Sequence, residues 1–182
     1  MRIVSGRFGG RRLVAPRDSA TRPTSDKVRE ALFSILGGVD GARVLDLYAG
    51  TGALALEALS RGASHATLVE SRRLALDALR ANVAALGVAG VTTLVTRPVE
   101  RCAEAVAAGA PYDLVLADPP YVAVDGVDFG EQLATLLSPI VAPGGSLVLE
   151  HATRTDPPSV RGFASGDTRR YGDTSLTFYE KD

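Results

Sequence analysis

The sequence predicts an α/β domain: a doubly wound, mostly parallel sheet covered by helices on both faces, with an antiparallel hairpin closing one edge. Three observations predict it. Between residues 43 and 151, short and almost wholly apolar runs alternate with stretches of helical spacing. Strands that are apolar on both sides belong to parallel sheets buried under two helix layers. The terminal "TRRYGDTSLTFYE", residues 168–180, reads instead as two strands about a Gly-Asp turn. With 182 residues and 46% hydrophobic content, the chain holds enough apolar surface for one domain and one sizeable core.

The elements follow in order. Residues 2–14, "RIVSGRFGGRRLV", are two short apolar pieces around a glycine-rich turn and predict a small β-hairpin. Pro16 and Pro23 bracket a loop, so residues 1–23 form a basic arm and residues 24–182 one compact unit. In "TSDKVREALFSIL", apolar groups at Val28, Ala31, Leu32, Ile35 and Leu36 predict a helix with Ser25 or Thr24 as cap and Gly37-Gly38 as stop. Strands are expected at 43–48, 65–70, 91–96, 112–118 and 146–151, with helices in the segments between them, including 99–109 and 129–142. In such sheets a ligand binds at the carboxyl ends of the strands, where the strand order reverses.

Composition narrows the function. Residues 1–30 carry eight basic against three acidic side chains, while the remainder carries 12 against 18. A basic arm on an acidic body is the asymmetry expected when one end meets a polyanion. Cys102 is the single cysteine, which excludes an internal disulfide and fits a reducing cytoplasm. No uninterrupted apolar run reaches the roughly 18 to 20 residues of a membrane span. His65 and His151 flank strands without partners at ligand spacing, so both are expected to be surface or cap residues and no metal is predicted. The absence of heptads or a long exposed apolar face predicts a monomer.

Two strand ends carry chemistry. The first is "LDLYAGTGAL", residues 45–54, where Gly50 and Gly52 allow a tight turn and a close ligand approach. Asp46 lies inside that strand, and Glu70 closes the next one, placed to accept hydrogen bonds from two ribose hydroxyls. Together they predict a nucleoside-containing cofactor. Glycine counting does not say which, because Ala55 at the third glycine position is also tolerated in dinucleotide fingerprints. The second is "ADPPYVAV", residues 117–124. Two prolines make a poor helix start but a rigid way to aim a carbonyl and a ring.

The "DPPY" at 118–121 resembles the motif of S-adenosylmethionine-dependent methyltransferases that act on exocyclic or amide nitrogens. The whole chain resembles the bacterial 16S ribosomal RNA guanine-N2 methyltransferases of the RsmD type. The matching stretches are "RIVSGRFGGRRL", "RPTSDKVREALFSIL", "VLDLYAGTGALALEALSRGA", "LVE" at 68–70, "DPPY" and "YGDTSLTFYE". The resemblance implies a Rossmann-like class I methyltransferase: a seven-stranded sheet with an antiparallel last strand, the cofactor S-adenosyl-L-methionine, and a guanine of 16S rRNA, met in the 30S subunit, as substrate.

The resemblance also implies roles. Asp46, Gly50, Thr51 and Gly52 would surround the methionine part of the cofactor and Glu70 its ribose, with Arg22, Thr24 and Lys27 reaching its carboxylate. Asp118 would accept from the substrate amine, helped by the Pro119 carbonyl; Pro120 would hold the turn and Tyr121 stack on a flipped-out base. Arg7, Arg11 and Arg12 around the Gly-Phe-Gly-Gly turn read as a mobile finger for phosphates, with Phe8 free to stack on a base. After the third strand, "VTRPVER" lacks the acceptor side chain common in such folds, so adenine recognition is expected from backbone near Val99. A DNA adenine-N6 methyltransferase shares "DPPY" but generally carries a target-recognition domain. A noncatalytic RNA-binding module on the same fold is the reading from another class.

Overall fold

Strands β1 (Arg43–Leu47), β2 (His65–Val69), β3 (Thr92–Val95), β4 (Tyr112–Ala117), β5 (Val141–Ala152), β6 (Phe163–Tyr171) and β7 (Thr174–Lys181) form one sheet in the order β3-β2-β1-β4-β5-β7-β6. The computed structural model describes residues 1–16, 25–124, 126 and 128–182, apart from the side chains of Tyr121 and Val122. β1 pairs in parallel with both β2 and β4, and β5 extends the parallel set. β7 runs antiparallel to both its neighbours, β5 and β6. The winding therefore reverses between β1 and β4, and that crevice is where such a sheet takes a ligand.

Helices α1 (Asp26–Leu36), α2 (Ala53–Ser60) and α3 (Arg73–Leu86) cover one face; α4 (Ala103–Ala107), α5 (Tyr121–Val124) and α6 (Phe129–Leu137) follow on the other. The strands serve both layers. Val44 packs in the first core, whereas Leu45 and Leu47 pack in the second. α1 starts where the Ser25 hydroxyl accepts from Val28 N at 3.3 Å and stops at Gly37, in the left-handed conformation with φ 73°. Every residue of α2 is buried, including Glu57 and Ser60.

Four places differ from expectation. β5 begins at Val141 rather than residue 146, and a register shift between Tyr112 and Leu114 accommodates Pro143, which has no N–H for a regular ladder. A helix begins at Tyr121, directly after the two prolines, because the first turn needs no N–H there. His151 is 1% exposed, not a surface group, with its two ring nitrogens 3.0 Å from Ala152 O and 2.8 Å from Thr177 Oγ1.

The arm is the fourth. Residues 2–14 do fold back as a short hairpin, with the antiparallel bridge Arg2 to Arg12 and backbone bonds Ile3 N to Arg11 O at 2.9 Å, Gly10 N to Ile3 O at 2.9 Å and Leu13 N to Met1 O at 3.2 Å. It closes around a 3₁₀ turn at Gly6–Phe8, however, and without regular strands. Its outward amides are used elsewhere. Val4 N and Ser5 N donate to the buried Glu57 carboxylate at 2.6 and 2.9 Å, and Phe8 N donates to Ser60 Oγ at 2.9 Å. These donors bind side chains of α2 and dock the hairpin onto that helix.

Candidate active site

Sheet geometry brings the glycine-rich loop and the "DPPY" turn side by side. β1 and β4 are paired up to Leu47 and Ala117, and Asp118 N then reaches Leu47 O at 3.5 Å. Tyr48 and Asp118 therefore leave the sheet together. Tyr48 does so at φ 62°, a left-handed conformation that a bulky side chain rarely adopts and that gathers at functional turns.

Glu70 ties the loop to β2. Its Oε2 accepts from Gly50 N at 2.9 Å, while its Oε1 accepts from Ser71 N and Arg72 N, each at 2.8 Å. The carboxylate is 6% exposed, so it serves as the pin of this turn. Asp46 lies deeper, 1% exposed, with Oδ2 accepting from Ala55 N at 3.1 Å. Its Oδ1 has no hydrogen-bond partner among the described residues. Burial, and then the nearby Glu70 charge, push its carboxyl up to about 7, partly offset by the Ala55 amide.

The two glycines are glycine for different reasons. At Gly52, φ 79°, an added Cβ would stand 2.4 Å from Leu79 Cδ1, so the position is sealed by α3. At Gly50, φ 56°, the Cβ would meet nothing nearer than Tyr48 O at 3.9 Å. Open space above a left-handed glycine is where a ligand can approach the backbone.

In the "DPPY" turn Asp118 is half-buried, Pro119 buried and Pro120 exposed. Pro120 O accepts from Ala123 N at 2.8 Å, closing the turn of α5. The Tyr121 backbone opens that helix; its side chain lies outside the described residues. Beside Tyr48, a cavity of about 540 Å³ is lined also by Val99, Glu100, Phe129, Leu133 and Leu136. Tyr48 is half-buried there, and burial followed by the Glu100 charge pushes its hydroxyl up to about 12.

Of the remaining predicted residues, Thr51 belongs to this crevice and Arg7 and Phe8 do not. Arg22 and Thr24 lie outside the described residues, and Lys27 is exposed in the first turn of α1. Thr51 is in the loop, where its carbonyl accepts from Asn82 Nδ2 at 3.0 Å. Arg7 and Phe8 sit beside Ser60, at the end of α2 opposite the glycine loop. Phe8 is half-buried against the first core, with the Arg7 and Arg11 guanidiniums 4.6 and 5.9 Å from its ring centre. It is a packed ring and not a free one, and Arg11 and Arg12 belong to a docked arm.

Sequence reasoning missed the groups that dock it: Glu57, Ser60, Asn82 and Arg29. Arg29 is fully buried, ion-pairs with Asp26 at 2.8 Å and donates to Arg2 O. A charged residue amid the apolar "ALALEALS" was the available signal for Glu57, since a carboxylate there must meet donors.

Comparison with known proteins agrees with this architecture. The family described as "Conserved hypothetical protein 95" matches residues 1–180. "Putative rRNA methyltransferase YlbH" of Bacillus subtilis is 33% identical over 189 residues, covering 100% of this chain and 99% of that one. "Ribosomal RNA small subunit methyltransferase D" of Escherichia coli is 40% identical over 122 residues, 66% of this chain and 60% of that one. The solved structure of "Putative methyltransferase yhhF from Escherichia coli" superposes with a TM-score of 0.83 at 30% identity, covering 100% and 98% of the two chains. The chain belongs to the family matched as Conserved hypothetical protein 95, whose named members include the ribosomal RNA small subunit methyltransferases D.

Proposed function

We propose that the chain transfers a methyl group from S-adenosyl-L-methionine to the exocyclic N2 amine of a guanine in 16S ribosomal RNA, acting on the 30S subunit as a cytoplasmic monomer. The observation that carries this reading is the joint exit of Tyr48 and Asp118 from β1 and β4, which sets a glycine loop against a "DPPY" turn.

The groups present suit the methyl donor. Gly50 leaves open space above the loop, and the Asp46 carboxylate buried beneath it, with Oδ1 unpartnered among the described residues, adds a negative charge that suits the ligand's cationic methionine end. Glu70 is the acidic group nearest the loop amides, where a ribose would meet it. The cavity beside Val99 and Tyr48 has the size for a nucleobase-containing group and supplies apolar walls for adenine. Arg22, Thr24 and Lys27 are assigned to the donor's carboxylate by the resemblance alone.

A bound sulfonium supplies a methyl already activated for transfer. What the protein must add is placement of the amine in line and exclusion of water. Asp118, with the Pro119 carbonyl, accepts hydrogen bonds from the guanine amine and draws its lone pair out of conjugation with the ring. With the donor bound, the aligned nitrogen would receive the methyl group, and the Asp118 carboxylate already hydrogen-bonded to it would take up the proton it releases. Tyr121 stacks on the base, and Pro120 fixes the turn that aims both.

Transfer from labelled S-adenosylmethionine to 30S particles, naked 16S RNA and duplex DNA, followed by nucleoside digestion, tests the proposal. N2-methylguanosine from the ribosomal samples is expected. N6-methyladenine from DNA, or binding of RNA without any transfer, would overturn it.

A further inference from the structure

The surface outside the site is unevenly charged. Among the solvent-facing positions of α3 are Arg73, Asp77, Arg80, Ala81, Ala84 and Ala85. The acid among them, Asp77, lies 3.6 Å from Arg80 with both side chains more than half exposed, a contact worth little in water. Arg73 opens the helix and is exposed, while the Glu70 carboxylate, accepting from Ser71 N and Arg72 N, supplies the negative charge that a helix start favours.

The docked arm adds two more arginines to this face. Arg11 Nη1 donates to Ala85 O at 3.3 Å near the far end of α3, and Val14 N donates to Asn82 Oδ1 at 2.7 Å. The return half of the arm thus lies against the helix at Asn82 and Ala85, and Arg12 within it is exposed. The 14 residues of α3 make the band about 20 Å long. Its floor is the alanines, small enough for a polymer backbone to come close. Its upper end, Arg73, is three residues past Glu70, at the glycine loop. On the opposite helix layer the exposed Arg97 and Arg101 are accompanied by four exposed acids, Glu100, Glu104, Asp128 and Glu131.

We propose that Arg73, Arg80, Arg11 and Arg12 hold the phosphate backbone of structured RNA along α3, so that the polymer approaches the site over the α2–α3 side. The inference rests on the ribosomal RNA reading above and replaces a mobile, base-stacking finger with a fixed phosphate track. Guanidinium forks suit phosphate oxygens and position the polymer without reading sequence.

The test is a salt titration of binding to 30S particles and to naked 16S RNA, comparing the native protein with R73Q/R80Q and with R73E/R80E. Each lost phosphate contact removes about 0.7 to 0.9 from the slope of log affinity against log salt. The double glutamine variant is expected to lose about 1.5 in slope, and the charge reversal more affinity still. Melting temperature and affinity for S-adenosylmethionine should stay as in the native protein. A native slope in R73Q/R80Q, with the native protein methylating ribosomal RNA, overturns the track alone. A native protein that neither binds nor methylates either RNA overturns the underlying reading as well.

Discussion

Asn82 joins the arm to the glycine loop: its Nδ2 donates to Thr51 O and to Val14 O, each at 3.0 Å, while its Oδ1 accepts from Val14 N at 2.7 Å. The side chain is 1% exposed, so water cannot replace what it supplies. Asn82→Ala would strand backbone groups of both segments, at about 1 to 3 kcal/mol for a buried group left unpaired. The expected result is a lower melting temperature together with weaker binding of S-adenosylmethionine, because the loop loses one of its supports. Asn82→Asp keeps the acceptor for Val14 N and loses the donor to Thr51 O. It should weaken methyl-donor binding in isothermal titration. Native affinity in both variants would show that the arm and the loop are not coupled.

Gly50 and Gly52 should separate binding from stability. Gly52→Ala forces a methyl group to 2.4 Å from Leu79 Cδ1 at φ 79°, so overpacking adds to backbone strain. A loss of about 2 to 4 kcal/mol in urea unfolding is expected. Gly50→Ala meets open space and carries only the left-handed penalty, about 1 to 2 kcal/mol. Its methyl stands over the loop, and its affinity for S-adenosylmethionine should fall at least tenfold. Equal stabilities for the two variants would contradict the packing difference.

The fold was legible because its signals are repeated. Apolar runs such as "VLDLY" and "DLVLA" name buried parallel strands, Ser25 and Gly37 mark the ends of α1, and "YGDTS" turns the last hairpin. The two halves of the site were legible for the same reason, since each strand end keeps its motif within a few residues. What escaped is what depends on contacts between distant segments. Glu57 meets Val4 across 53 residues and Asn82 meets Val14 across 68, and no local pattern announces either pairing. Phe8 looked free because an aromatic between glycines says nothing about the Ser60 and core surface on which it lies. His151 looked exposed because its partner Thr177 comes from the far hairpin.

Asp46 makes both stability and ligand binding depend on pH. Its carboxyl is raised from 3.8 to about 7, so between these values the folded protein holds a proton that the unfolded chain has lost. Stability therefore falls as pH rises from about 4 to about 7 and is level in this respect above that. The cationic methyl donor favours the ionised carboxylate, so its affinity should rise as pH passes through about 7. Asp46→Asn should flatten both profiles, read by chemical unfolding and by titration calorimetry at several pH values. A ligand-affinity profile that keeps its native slope in Asp46→Asn would assign the titration to another group.

Asp118 should matter to the methyl transfer and little to the methyl donor. Its backbone N–H continues the β1–β4 pairing, so substitution of the side chain leaves that contact intact. Under the proposed chemistry the carboxylate acts on the guanine amine in the transition state. Removing one such group costs about 10²- to 10³-fold in rate. Asp118→Ala is therefore expected to lose that factor in single-turnover transfer to 30S particles while binding S-adenosylmethionine with native affinity. Asp118→Asn keeps one acceptor oxygen and should fall between the two. If Asp118→Ala instead loses the methyl donor and transfers at the native rate once saturated, the residue belongs to donor binding and not to amine recognition.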